Sequence, residues 1–169
     1  MTTFSQKTAH KMQTRILLTI NGIDVIIGDD ERLTYLAGLM IDGDGSGPSH
    51  GDPCYQNDTT LHLDGKALNA DVDKYIVLPP QIIRSVRGIV LGCQAQVMNA
   101  QNGQSTFAVV GDVGPVNKLG EASIATARAI GVASSPTTGG EERRVIRYSI
   151  FPGVPAIVDG KQYQLQAHR

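Results

Sequence analysis

Short runs of apolar residues, separated by turns rich in Gly, Asn and Asp, follow one another along most of the chain. Runs of this length predict β-strands rather than long helices. Arg15–Ile20 and Ile23–Ile27 flank the dipeptide Asn21-Gly22. Both of these residues accept the positive φ that a two-residue hairpin turn requires. The chain is therefore predicted to begin with a β-hairpin, which is followed by a strand over Leu33–Ile41.

The apolar runs further along predict additional strands of the same kind. In Arg143–Phe151, Ile146, Tyr148 and Ile150 alternate with more polar residues, which is typical of a half-buried strand. The turn Asp159-Gly160 separates the last two runs. The other predicted strands are Thr60–Leu63, Lys74–Leu78, Val86–Met98, Ser105–Val110, Ala156–Val158 and Gln162–Leu165.

One segment has the periodicity of an α-helix. Glu121–Ile130 carries Ile124, Ala127 and Ile130 on one face, and Gly131 follows as a C-terminal stop. Residues 43–59 form a long polar segment, and a loop of that length is usually functional or disordered.

Length and composition fit this reading. With 169 residues the chain is long enough for one domain, and we expect a flexible lead-in over 1–14 and a single domain over 15–169. Gly is abundant at 19 residues, Trp is absent, and only three Phe and five Tyr are present. This balance favours a mainly β fold with one or two short helices.

The distribution of charge excludes one class of partner. Residues 16–78 hold eleven acidic and three basic residues, a charge of −8, whereas the whole chain carries only −1. Such a segment repels nucleic acid and attracts cationic ligands. An equally simple explanation is that the acids keep loops soluble.

Neither the N-terminus nor the cysteines fix a compartment. The sequence before Ile16 has no apolar stretch of signal-peptide length, and no apolar run is long enough to suggest a membrane segment. Cys54 and Cys93 could form a disulfide or stay free.

Two carboxylates stand at candidate catalytic positions. Asp112 follows an apolar run, and Glu121 begins the predicted helix nine residues later. Both lie where a scaffold exposes side chains to ligand, and glycoside hydrolysis needs one carboxyl as acid and one as base. Alternatively, Asp112 bonds its own backbone in a turn, and Glu121 only complements the helix dipole.

Several motifs resemble those of glycoside hydrolase family 75, the fungal-type chitosanases. They cover about residues 35–155 in the order of the family. The segment from Asp112 to Glu121 also resembles double-psi β-barrels of the rare-lipoprotein-A type, through Asp112-Val-Gly-Pro115. The family motifs are Ile41-Asp42-Gly43-Asp44-Gly45, Tyr75-Ile-Val-Leu-Pro79, Gly111-Asp112, Gly120-Glu121-Ala122-Ser123 and Arg147-Tyr-Ser-Ile-Phe-Pro152-Gly.

The resemblance implies a six-stranded double-psi barrel and an inverting mechanism that uses Glu121 as general acid and Asp112 as general base. A Glu at a helix N-terminus is favoured in its ionised form, which opposes the acid role and leaves the reverse assignment of the two roles open. The resemblance also implies that Asp42 and Asp44 line the cleft and pair with glucosaminium groups.

A metal site and an organic cofactor are not expected. A plain turn or a calcium loop is the alternative for Asp42 and Asp44, but the twelfth position of an EF-hand loop counted from Asp42 is Pro53 and not Glu. His50, Asp52 and Cys54 are scattered donors that give a weak metal signal. Two-carboxylate hydrolysis needs no cofactor.

The function expected from the sequence is endo-acting hydrolysis of β-1,4 linkages in chitosan, outside the cell and without a recognisable signal peptide. No nucleic-acid or membrane partner is expected. The alternatives are a peptidoglycan hydrolase or lytic transglycosylase, such as a phage or secretion-system cargo, and a non-catalytic glycan-binding or structural barrel.

Overall fold

The computed structural model describes residues 11–166 and consists mostly of β-strands. The predicted lead-in lies largely outside the described residues. Two six-residue helices are present, α1 (Pro80–Ser85) and α2 (Ile124–Ala129). The strands are β1 (Thr14–Ile20), β2 (Ile23–Gly28), β3 (Leu33–Asp42), β4 (His62–Leu63), β5 (Lys66–Ala67), β6 (Tyr75–Leu78), β7 (Cys93–Asn99), β8 (Ser105–Val113), β9 (Glu121–Ser123), β10 (Glu141–Pro155), β11 (Ile157–Val158) and β12 (Lys161–Gln162).

Six strands form a closed barrel. Their order is β3-β10-β7-β8-β6-β9, and β9 pairs back onto β3 to complete the ring. The β3–β9 and β6–β8 pairs are parallel, and the other four pairs are antiparallel. The predicted mainly β fold, a six-stranded barrel with two short helices, is confirmed, and the double-psi topology stays a prediction.

The barrel interior is filled by apolar side chains that alternate along the strands. Ile146, Tyr148 and Ile150 of β10 are all buried, as their alternation predicted. Tyr148 stacks on Tyr35 of β3 with ring centroids 4.9 Å apart. Within residues 11–166, no helix is long and apolar enough to cross a bilayer.

The predicted β1–β2 hairpin is present and lies outside the closed barrel. Asn21 and Gly22 have φ angles of 48° and 72°, as a turn with two left-handed residues requires. The hairpin joins the barrel through only two residue pairs, Ile26 with Thr34 and Ile27 with Leu33.

Two predictions between residues 79 and 99 are wrong. The strand predicted for Val86–Met98 begins only at Cys93, because Gly88 and Gly92 take positive φ angles and turn the chain before it. Helix α1, which begins at Pro80, was not predicted. A proline in the first helical position costs nothing there, as its missing N–H has no intrahelical acceptor in any case.

The predicted helix Glu121–Ile130 is wrong at its beginning. Glu121–Ser123 form strand β9, which pairs with β3 and β6, and α2 starts at Ile124. The hydroxyl of Ser123 accepts a hydrogen bond from the backbone N–H of Thr126, so Ser123 is the N-cap. Glu121 therefore lies outside the helix, and the expected opposition from the helix dipole does not apply.

A β-bulge in β8 precedes Asp112. Ile76 pairs with Val110, whereas Val77 pairs with Asp112, so Gly111 is an extra residue in β8. Bulges redirect the side chains that follow them and occur often beside active sites. A Cβ at Gly111 would lie 2.7 Å from both the Leu68 side chain and the Tyr75 Cβ, which leaves room for glycine only.

We expect Gly111→Ala to lower the free energy of unfolding by about 1–3 kcal/mol, because the added methyl overpacks the core beside the bulge. Urea denaturation checks this value. Gly28→Ala is the control, since its Cβ would approach only the rotatable carboxylate of Asp30 this closely. Equal stability losses in the two variants would contradict the steric explanation.

Candidate functional site

An acidic cleft of about 700 Å³ opens on the outer face of the barrel where β3, β6, β8 and β9 meet. The loop of residues 43–60 covers one side, and the loop of residues 114–120 forms the other wall. Among residues 11–166, six carboxylates and one cationic side chain line the cleft, and no aromatic residue does. Its charged residues are Asp42, Asp44, Asp52, Asp58, Asp112, Lys118 and Glu121.

Strand register brings the two candidate catalytic carboxylates into one row. Val77 of β6 pairs with Asp112 of β8 on one side and with Glu121 of β9 on the other. Residues that pair across strands face the same side of a sheet. Neighbouring strands lie about 4.8 Å apart, so the Cα atoms of Asp112 and Glu121 are separated by roughly 10 Å. Both side chains line the cleft.

Asp112 is held in place by three hydrogen bonds. Its Oδ1 accepts from the backbone N–H groups of Thr60 and Val113, at 2.9 and 2.8 Å, and from the hydroxyl of Thr60. The side chain is buried apart from its opening to the cleft. These donors fix the direction of the carboxylate.

Glu121 forms an ion pair with the loop opposite it. Lys118 Nζ lies 2.8 Å from Glu121 Oε1, and only 12% of the Glu121 side chain is exposed. Gly114 leaves space for the other oxygen, because a Cβ there would lie 3.0 Å from Glu121 Oε2.

Asp42 and Asp44 stand beside Asp112 at the end of β3. Asp42 Oδ1 accepts from the backbone N–H of Asp44 at 2.8 Å and from the Tyr75 hydroxyl at 3.3 Å. Asp44 Oδ1 accepts from the backbone N–H of Gln56 at 2.7 Å, which fixes the long loop. The structure therefore places both predicted binding residues in the cleft.

The crowding of these acids changes their protonation. One oxygen from each of Asp42, Asp44 and Asp112 lies within 4.8 Å of the others. Burial, followed by repulsion from Asp44, Asp112 and Glu121, raises the pKa of Asp42 from 3.8 to about 7. Burial raises the pKa of Asp44 as well. Three oxygens this close can share a proton or hold a hard cation.

The scattered donors near residue 50 do not come together. His50 Nε2 lies 2.8 Å from Asp71 Oδ2, outside the cleft. Asp52 and Cys54, in contrast, line the cleft. Cys54 is exposed and Cys93 is buried, and both are free thiols.

Sequence reasoning missed Lys118, Thr60 and Tyr75, which all act on the carboxylates. Nothing in the sequence around Lys118 or Thr60 indicates a contact with the cleft. Tyr75 lies in a motif that was noted only for its apolar run, although its hydroxyl reaches Asp42 and the backbone oxygen of Asp44.

A family model described as "Fungal chitosanase of glycosyl hydrolase group 75" matches residues 39–169. The matched region contains every carboxylate of the cleft and most of the barrel. It begins within β3, so the β1–β2 hairpin lies before it. A search of curated proteins finds no significant match.

We expect Asp42→Asn to stabilise the protein at about pH 8 by about 2–4 kcal/mol and to change it little at about pH 4. Because the pKa of Asp42 is raised to about 7, its stabilising effect as a neutral acid is complete below its ordinary pKa and is lost as the pH rises through 7. The amide keeps the acceptor oxygen and removes the buried charge.

Urea denaturation at both pH values measures the difference, and the exposed Asp64→Asn serves as the control. A loss of stability that is the same at both pH values would contradict the burial of a charge at position 42.

Proposed function

The chain belongs to the fungal chitosanase family, group 75 of the glycoside hydrolases, and is therefore a glycoside hydrolase; on this basis we propose that it cleaves β-1,4 linkages within chitosan chains by an inverting mechanism. The observation that carries the proposal is the row Asp112–Val77–Glu121, which presents two carboxylates to one cleft. The polymer lies outside the cell, and we propose that the protein acts there.

The separation of the Asp112 and Glu121 backbones favours inversion. Retaining enzymes keep their two carboxyl groups about 5–5.5 Å apart, whereas inverting enzymes keep them about 6.5–9.5 Å apart to leave room for water. Backbones two strands apart, at roughly 10 Å, fit the wider separation better. A water molecule between Asp112 and the anomeric carbon would then attack from the face opposite the leaving oxygen.

Asp112 suits the role of general base. Three donors hold its Oδ1 and aim its other oxygen in a fixed direction. We assign the role of general acid to Glu121, at the other end of the row. The ion pair with Lys118 opposes this assignment, since an acid has to carry a proton before it can protonate the leaving oxygen.

Asp42 is the alternative acid. Burial raises its pKa to about 7, so it holds a proton below that pH. One of its oxygens lies within 4.8 Å of Asp112, which is nearer to the separation of a retaining pair than of an inverting one, so this arrangement would favour retention. In this arrangement Glu121 would orient the substrate instead.

Charge and shape favour chitosan over peptidoglycan as the substrate. Six carboxylates against one lysine attract a polymer that bears ammonium groups and repel one that bears carboxylates. Since none of the described residues that line the cleft is aromatic, these residues do not hold sugar rings by stacking. Recognition then depends on charge, with Asp42 and Asp44 as the proposed partners of the glucosaminium groups.

We expect Glu121→Gln and Asp112→Asn each to lower kcat on chitosan at least a hundredfold, because each removes one proton-transfer group. Reducing-sugar release measures the rate, and proton NMR of the first products should show the α-anomer. The exposed Glu142→Gln and Asp64→Asn are matched controls that should leave the rate unchanged.

An initial β-product would exclude inversion, and full activity of either variant would exclude the pair. Glucosaminides with a leaving group that needs no protonation then identify the acid. The true acid variant, at Glu121 or at Asp42, should lose far less rate on such a substrate than on chitosan.

We expect KM for chitosan to rise several-fold when ionic strength increases from about 0.05 to about 0.5 M, because salt screens the attraction between the cleft and the polymer. Initial rates over a range of chitosan concentrations give KM and kcat separately. A KM that does not depend on salt would contradict recognition by charge.

A further inference from the structure

The tip of the β1–β2 hairpin contacts the loop that forms one wall of the cleft. The side-chain amide of Asn21 donates a hydrogen bond to the backbone oxygen of Asn117, in the loop of residues 114–120. The contact joins residues 96 positions apart in the sequence. It is the point where an element outside the barrel reaches the cleft wall.

Further hydrogen bonds hold both partners of this contact in place. Arg144 of β10 donates to the backbone oxygens of Gly22 and Asn21, at 2.8 and 3.0 Å, and so holds the hairpin tip. Gln81 of α1 donates to the side-chain oxygen of Asn117 at 2.7 Å. Asn117 itself has a φ of 66°, an unusual backbone angle that neighbouring contacts have to maintain.

The residue after Asn117 carries the one cation that the described part of the chain places in the cleft. Lys118 Nζ lies 2.8 Å from Glu121 Oε1, and Gly114 and Pro115 of the same loop also line the cleft. A displacement of Asn117 therefore moves both the wall and the ammonium group. Displacements of about 1 Å in positioning elements can cost large factors in rate.

The family does not assign a role to this hairpin, because the matched region begins at residue 39. We propose that the hairpin tip, through Asn21, positions the cleft wall of residues 114–120 and with it the ammonium of Lys118 against Glu121. Asn21 is then a positioning residue for hydrolysis. This inference rests on the proposed function for its kinetic consequences, but not for its structural ones.

The variant Asn21→Gly tests the contact between Asn21 and Asn117 separately from the turn itself. Glycine accepts the φ of 48° and keeps the turn, and only the amide donor is removed. Asp64→Gly is the matched control, because Asp64 holds the same position of an equivalent turn (φ 52°, followed by Gly65 at 75°) far along the chain from the hairpin. Both variants carry the same entropic cost of a glycine in the unfolded state.

We expect Asn21→Gly to lower kcat/KM on chitosan three- to tenfold and Asp64→Gly to leave it unchanged. Lys118→Met should lower kcat/KM, since Glu121 loses its ion-pair partner, and should move the basic limb of the pH profile, which reports the general acid, to higher pH. Asn21→Gly should move that limb in the same direction by less. In the double variant Asn21→Gly with Lys118→Met, kcat/KM should fall by less than the product of the single effects, because both act through one ammonium.

Hydrogen exchange gives an outcome that does not depend on activity. Backbone amides of residues 114–120 should exchange several-fold faster in Asn21→Gly than in the wild type or in Asp64→Gly. If exchange at residues 114–120 is unchanged, the positioning role of Asn21 is overturned. It is also overturned if kcat/KM of the double variant falls by the full product of the two single effects. A wild type without activity on chitosan would instead overturn the proposed function, and the exchange result would still decide the role of Asn21.

Discussion

Three residues close the barrel, and one of them is the candidate catalytic glutamate. β9 contains only Glu121–Ser123, yet it pairs with β3 on one side and β6 on the other. Ser123 secures this closure from inside, because its hydroxyl bonds the backbone N–H of Tyr75 and the backbone oxygen of Asp73. The position of Glu121 is thus set by the same hydrogen bonds that complete the fold. A site built this way is as rigid as the barrel itself.

The cleft brings carboxylates together on this rigid barrel, and neighbouring donors and Lys118 offset the cost only in part. Burial of carboxylates, together with repulsion between those that converge, weakens the folded state, and the raised pKa of Asp42 reflects that cost. Backbone and hydroxyl donors offset it at Asp112, and Lys118 offsets it at Glu121. Asp42 has weaker compensation, since the Tyr75 hydroxyl is 3.3 Å away and is shared with the backbone oxygen of Asp44. The destabilising effect of the acidic cleft is therefore greatest at Asp42, at the end of β3.

Local sequence predicted the elements whose geometry is decided locally. The turn at Asn21-Gly22 and the alternation of Ile146, Tyr148 and Ile150 both appear as expected, because turn chemistry and burial period need no distant partner. The assignment of Glu121 to a helix failed for the opposite reason. Its three-residue strand exists only because β3 and β6 lie on either side, and no window of sequence contains those partners.

The cleft likewise contains some residues that the sequence could predict and others that it could not. Motif resemblance brought Asp42, Asp44, Asp112 and Glu121 together, and the structure places all four around one space. The groups that tune them come from loops with no periodic signal, so Lys118 and Thr60 could not be recognised in advance.

The two thiols differ in a way that gives the protein a built-in reporter. Cys54 is exposed on the lining of the cleft, whereas Cys93 is sealed in the core with its sulfur against backbone groups of the neighbouring turn. A maleimide dye would therefore attach at a single point beside the bound polymer, without an engineered cysteine. Its fluorescence would follow occupancy of the cleft directly, even in variants that no longer turn over substrate.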